Sequence, residues 1–383
     1  MNHRRTLWTL YAVNFLDAVG IWFFLPLLPI FVGRRGGSPA LVGAVFAAGL
    51  LATAIIRYPA GWAADRLGTR PVMLAALVAT GVFFLAYLLP LPIWAFIAVR
   101  LLQGCAQGAF LPAANGLLAQ ITEPGERGRA FGFMQSTNMA GMLIGPAVGG
   151  FMALFNLGAV FVAAAACSGV AALALAVVPN VHVETEAESP ASALSIARRL
   201  LPLILLGAGT AYMGACFDAI WPLYMTYRGG STFAVGISFV AFALPAMLFS
   251  TQAGVLGDRF GPRRFIVVAL LCTAFFATIY PFVNSVPWLI GLGLIEGTFT
   301  ISGQPALLAE VSRAAEPGQQ GRTQGVFQTS QTLIQVAGAL VGGALYGLNP
   351  TYAFLAIAAV CLSGAATVLV PRAAYERRVS QAP

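Results

Sequence analysis

Apolar and polar positions alternate along this chain on a long period. Apolar runs of roughly 20 residues, the length of a bilayer-crossing helix, are separated by short polar loops carrying Gly and Pro. Twelve such runs are legible. They lie near 8–32, 40–62, 71–89, 92–117, 128–154 and 157–178, and again near 201–227, 232–256, 264–282, 286–311, 321–346 and 351–370. Backbone groups in lipid must be satisfied inside a helix or a closed barrel, and these runs far exceed the ~10-residue alternating strands of a barrel. The pattern therefore predicts an all-α membrane protein of twelve transmembrane helices.

The pattern also repeats. The segment GWAADRLGTR at Gly61–Arg70 returns as GVLGDRFGPR at Gly254–Arg263, a displacement of 193 residues. At the same offset Arg35-Gly-Gly-Ser38 maps onto Arg228-Gly-Gly-Ser231, Glu123-Pro-Gly125 onto Glu316-Pro-Gly318, and Gly149-Gly150 onto Gly342-Gly343. Equivalent Arg-bearing loops belong on one membrane face, so each half holds an even number of spans, here six, and the repeats run parallel. Residues 1–178 and 201–383 are the expected six-helix bundles, and residues 179–200, the longest polar stretch, a cytoplasmic linker with room for a surface helix near Ser192–Arg199.

Composition sharpens this reading. The chain is 59% hydrophobic and 9% charged, where soluble domains carry roughly a quarter charged residues. All 21 basic residues are Arg. With the N-terminus in the cytoplasm, 16 of them fall in cytoplasmic segments, Arg34, Arg35 and Arg228 fall outside, and Arg57 and Arg100 fall within spans. That is a positive-inside bias placing both termini in the cytoplasm of a multi-pass protein of the cell inner membrane. It accounts for the net charge of +8 without any nucleic-acid partner. The apolar stretch after Arg4 and Arg5 holds Asp17 and no small-residue cleavage site, so it reads as a retained first span. The five Cys sit far apart inside spans, with no disulfide or metal spacing. Without Lys there is no ATP-cradling Gly-Lys-Ser/Thr loop, and neither His3 nor His182 lies in a span. No cofactor and no metal are expected, and no enzymatic nucleophile–base set is visible.

Ionisable residues inside spans are the sharpest chemical signal, because each costs several kcal/mol in hydrocarbon unless paired or wet. Asp17 lies in span 1, Arg57 in span 2, Arg100 in span 4, Asp218 in span 7 and Glu296 in span 10. Asn14 shares a face with Asp17, Gln103 and Gln107 share one with Arg100, and Gln328 and Gln331 in span 11 repeat Gln135 and Asn138 of span 5. Asp218 is not the repeat image of Asp17, which falls on Thr210; Glu296 is the image of Gln103. Arg57 either snorkels to the interface or pairs with the nearby loop; Arg100 either tunes the coupling or partners Asp17 structurally.

Three motifs carry a resemblance. Gly61, Asp65, Arg66, Gly68 and Arg70 form G-x-x-x-D-R-x-G-x-R between spans 2 and 3, with Asp258 and Arg259 in the second copy; Arg100-Leu-Leu-Gln-Gly104 stands in span 4; and Gly132, Gly141, Gly145, Pro146, Gly149 and Gly150 stand in span 5. Together they resemble the major facilitator superfamily over nearly the whole chain, and in span 5 its 12-span drug/proton antiporters. The resemblance implies two bundles related by a pseudo-two-fold axis along the membrane normal, with spans 1, 4, 7 and 10 lining a central cavity. Four of the five in-span charges fall on those spans. The loop is then either a charge latch or a topology-setting turn, and span 5 either a functional bend or ordinary small-residue packing.

The expected function is secondary active transport: proton-coupled efflux of small lipophilic or cationic compounds by alternating access, with Asp17, Asp218 and Glu296 exchanging proton and substrate. The partners are then a small-molecule substrate, protons and the bilayer, and the chain acts as a monomer. Export or uptake of a polar metabolite such as a sugar, or of an amphipathic lipid, is the competing reading, favoured by the Gln stripes. A non-transporting sensor or a membrane-embedded enzyme is a remote one.

Overall fold

The computed structural model describes residues 3–123, 126–178, 180, 193–300, 303–315 and 320–367. Every regular element among them is helical. In chain order they are α1 (His3–Phe24), α2 (Leu28–Arg34), α3 (Pro39–Leu67), α4 (Thr69–Ala86), α5 (Ala95–Ile121), α6 (Arg127–Phe155), α7 (Leu157–Leu175), α8 (Ala193–Tyr227), α9 (Thr232–Phe260), α10 (Pro262–Ile279), α11 (Val286–Thr300), α12 (Gly303–Arg313), α13 (Gln320–Leu348) and α14 (Pro350–Ala366). Short 3-10 turns at Leu25–Leu27 and Tyr280–Phe282 complete the set.

Nine helical stretches among the described residues are long and apolar enough to cross a membrane, and α11 and α14 are shorter apolar helices. The 27-residue α5 is not among the nine, because Arg100, Gln103, Gln107 and Gln120 dilute its apolar face. One expected span is built of more than one helix. The first comprises α1, the 3-10 turn and α2: Pro26 lacks the N–H that α1 would need to continue, and the turn tightens around it. In the tenth, 286–311, α11 and α12 flank residues 301–302, which lie outside the described set. Residues 193–199 are the first turns of the continuous α8 rather than a separate surface helix; residues 181–192 lie outside the described set.

Local chemistry sets the helix ends, and it recurs with the repeat. Ser38 Oγ accepts from Leu41 N at 3.2 Å, and Ser231 Oγ from Ala234 N at 3.2 Å. Asn156 caps α7 through Gly158 N at 2.8 Å, and Asn349 caps α14 through Thr351 N at 2.9 Å. The positive-φ glycines Gly36 and Gly229, and Gly68 and Gly261, form two further pairs at φ 84° to 90°. A side chain there would be strained, so the repeat preserves the residue that the turn requires.

Two compact units emerge: Met1–Ala187 with Pro222–Val240, and Glu188–Trp221 with Ala241–Pro383. In the first, α1 packs on α6 and α7, α3 on α5, and α4 on α5 and α7, around a core that includes Leu10, Met73, Phe110, Leu117 and Leu175. The start of α9 joins this unit because Gly150 and Gly236 let two backbones meet, and Thr232 Oγ1 donates to Gly150 O at 3.0 Å. In the second, α10 packs on α14, α12 and α11, and α13 on α14. Those pairings echo α4 on α7 and α5, and α6 on α7, so the sequence repeat is also a packing repeat.

Candidate functional site

In the first unit the polar residues gather on α5. Arg100, Gln103 and Gln107 share one helical face. Arg100 Nη1 donates to Gln103 Oε1 at 3.0 Å and to Gln107 Oε1 at 3.2 Å, and the Tyr87 hydroxyl donates to Gln103 Oε1 at 3.2 Å. The guanidinium lies 5.6 Å from the Phe24 ring centroid. It occupies space that Gly49 of α3 leaves open: a Cβ at position 49 would stand 2.5 Å from Arg100 Nε. The buried Asn14 of α1 reaches α6, donating to Met134 O at 3.1 Å and Thr137 Oγ1 at 2.8 Å. Asp17, about one turn further along, is 8% exposed.

The span-5 glycines explain how α1 comes so close. Gly141 faces Ala18 and Val19, Gly145 faces Trp22, and Gly149 faces Phe23, so positions i, i+4 and i+8 of α6 form a groove that receives α1. Pro146 is buried inside α6, and its carbonyl lies against Gly236. Gly132 is exposed with open space around it and takes no part in the groove.

In the second unit the same scaffold carries different chemistry. Glu296 and Tyr280 are the 193-residue images of Gln103 and Tyr87. Glu296 is fully buried, and its Oε2 accepts from the Tyr280 hydroxyl at 2.5 Å, while Oε1 has no hydrogen-bond partner. The surrounding aromatics repeat as well. Phe24, Tyr87 and Phe161 form a mutual cluster with centroids 5.1 to 5.5 Å apart, and Phe217, Tyr280 and Phe354 form its image at 5.8 to 5.9 Å. Gly293 stands where Arg100 would be, and Phe242 where Gly49 would be. Gln331 of α13 is buried and donates to Ile204 O of α8 at 3.2 Å, against Gly207, the image of Asn14. Thr300, the image of Gln107, pairs with Thr273 at 2.7 Å.

The remaining candidates differ in exposure. Asp218 and Asn138 are half-buried, and Gln135 and Gln328 are exposed. In the loop motif, Gly61 is half-buried with open space at its Cα, Asp65 is half-buried, and Arg66 stacks over Trp62 at 4.2 Å. Arg70 is held by Asn180, whose Oδ1 accepts from Arg70 N at 3.3 Å, and by the carbonyl of Ala176. Asn180 Nδ2 also donates to Leu67 O at 3.2 Å, and its side chain fills the space above Gly68. The loop is thus tied down by an amide and by the end of α7. The side chains of Asp258 and Arg259 lie outside the described residues. Beside them Arg263, the image of Arg70, pairs with Glu310 at 3.2 Å, and Glu310 also pairs with Arg313 at 2.9 Å.

Sequence reasoning missed Tyr87, Tyr280, Gly49, Asn180 and Glu310. The 193-residue offset could have found the two tyrosines, since each lies 16 residues before its partner. Nothing local marks Asn180 or Glu310. Among the described residues no cluster of His, Cys, Asp and Glu could hold a metal ion.

Comparison with known proteins adds a frame. The sequence profile of the Major Facilitator Superfamily matches residues 10–217 and again 203–382. The chain is 28% identical over 351 residues to the tetracycline resistance protein, class G, of Vibrio anguillarum, covering 86% of this chain and 88% of that one. It is 26% identical over 393 residues to multidrug resistance protein 2 of Bacillus subtilis (strain 168), covering 97% and 96%. Its fold matches the crystal structure of the nucleoside transporter NupG with a TM-score of 0.75, at 15% identity over 100% of this chain and 100% of that one.

Proposed function

The chain belongs to the Major Facilitator Superfamily and is a multi-pass membrane transporter rather than an enzyme, and from that premise we propose that it exports small lipophilic or cationic compounds in exchange for protons. In this reading twelve spans form two six-helix bundles, residues 1–178 and 201–383, related by a pseudo-two-fold axis along the membrane normal. The linker 179–200 and both termini face the cytoplasm of the inner membrane, and the monomer works by alternating access.

The observation that carries the proposal is Glu296. It is wholly buried in an apolar helix, one oxygen is held by Tyr280, and the other has no partner. An ionised carboxylate in that place needs a compensating cation. A proton and a cationic substrate can each supply it, and the presence of one excludes the other. Asp17, buried on α1, extends the acidic set into the first unit, and Asp218 adds a half-buried third carboxylate on α8. The names of the relatives, tetracycline and multidrug resistance proteins, agree with an export direction.

The test is substrate-driven proton release from everted membrane vesicles, in wild type and in Asp17→Asn, Asp218→Asn and Glu296→Gln. Coupled exchange is expected to fall at least tenfold in Glu296→Gln and to be impaired in Asp17→Asn. Full coupling in all three variants would reject the proposal.

A further inference from the structure

We infer that Gln103 and Gln107, oriented by Arg100, form a subsite for an anionic oxygen of the transported molecule, such as a carboxylate. The inference rests on the transport reading above and adds a second requirement to its substrate: the lipophilic compound also carries an acceptor.

The argument starts from the amide orientation. A guanidinium only donates, so the oxygens of Gln103 and Gln107 must be the atoms that face Arg100 Nη1, at 3.0 and 3.2 Å. The Tyr87 hydroxyl reinforces this at Gln103 Oε1. Both amide nitrogens therefore point away from the cation, each with N–H groups to give. Gln103 is 0% exposed, and Gln103 Nε2 and Gln107 Nε2 are both buried with no acceptor. Buried donors in native proteins are nearly always paired. Two on one helical face, beside a fixed guanidinium, make a donor set that an anionic oxygen satisfies with charge-assisted bonds.

The second unit shows that the fold does not demand this set. At the equivalent positions stand Gly293, Glu296 and Thr300, and Thr300 is already paired with Thr273. The same helix packs with neither a guanidinium nor a side-chain amide at these positions. Their presence in the first unit, with Gly49 making room for the arginine, is specific to that unit.

The test uses the purified full-length protein and two fluorescent probes: a rhodamine methyl ester, and the same rhodamine with its carboxylate free. Fluorescence polarisation gives the ratio of their affinities, which cancels any loss of folded protein. The free-carboxylate dye is expected to bind wild type about tenfold more tightly, a factor within reach of one or two charge-assisted hydrogen bonds. In Gln103→Leu/Gln107→Leu the ratio is expected to fall to about one. Gln107→Glu, which keeps the side-chain shape, is expected to invert it and serves where the double variant does not fold. A wild-type ratio near one, no binding of the carboxylate dye, or a ratio unchanged in the variants overturns the inference. The two readings fail separately. Proton-coupled export of the ester without preference for the acid ends this inference alone. A preference for the acid in a protein whose Glu296→Gln variant keeps full coupling ends the efflux reading alone.

Discussion

The two units place one hydrogen bond in one position and then give it opposite meanings. In the first, Tyr87 donates to the amide oxygen of Gln103 at 3.2 Å, which also accepts from Arg100. In the second, Tyr280 donates to the carboxyl oxygen of Glu296 at 2.5 Å, and Gly293 replaces the arginine. Around both, a Phe–Tyr–Phe cluster, paired helix caps and paired positive-φ glycines recur 193 residues apart. The scaffold is what the repeat preserves; charge is what it varies. Bulk also differs at two equivalent positions: the first unit has Gly49 against Arg100, while the second has Phe242 and Gly293, and a Cβ on Gly293 would meet only Tyr280 Oη, at 3.9 Å.

The fit of Arg100 against Gly49 can be broken deliberately. A phenylalanine at position 49 would collide with the Arg100 side chain, since a Cβ alone would lie 2.5 Å from Nε. Gly49→Phe is expected to abolish folded protein in detergent, as judged by size exclusion. Adding Arg100→Gly copies the second unit's residues at those two positions and removes the clashing side chain, so it is expected to restore most of the yield, a coupling on the order of 3 kcal/mol. Independent effects of the two changes would refute the steric coupling of positions 49 and 100.

A sharper contrast comes from removing one hydroxyl from each unit. Tyr280→Phe leaves Glu296 with no hydrogen-bond partner among the described residues and is expected to slow proton-coupled transport by about tenfold, the weight of a buried charge-assisted bond. Tyr87→Phe leaves Gln103 still bonded to Arg100 and is expected to cost no more than about twofold. Equal effects in the two units would mean that the carboxyl has no special part. The smallest effect is expected at the loop motif. Asn180→Ala removes two hydrogen bonds that tie Arg70 and Leu67, for a loss of about 1–2 kcal/mol, read as a thermal-melt shift of a few degrees with transport largely retained.

Much of this was legible beforehand. Long apolar runs cannot be anything but helices in lipid, so helices stand at all twelve expected positions. The 193-residue offset carried over into packing because identical loop glycines and caps force identical turns. The burial of Asp17, Arg100 and Glu296 also follows from their residue types and places. What did not follow is which partners they choose. The sequence presents Gln103 and Gln107 as a polar face, yet their role depends on Arg100 fixing which end of each amide faces it. Asn180 sits 110 residues from Arg70, and no periodicity links them. Gln135 and Gln328 are exposed, and helical spacing alone fixes the face they share, not what stands opposite it.

The central claim, that Glu296 exchanges a proton for substrate, is tested most directly in proteoliposomes under an imposed pH gradient. Wild type is expected to accumulate substrate against its gradient. Glu296→Gln, which installs the residue its own repeat image carries, is expected to lose that accumulation while still exchanging substrate across the membrane without a gradient. Undiminished pH-driven accumulation by Glu296→Gln would contradict the account.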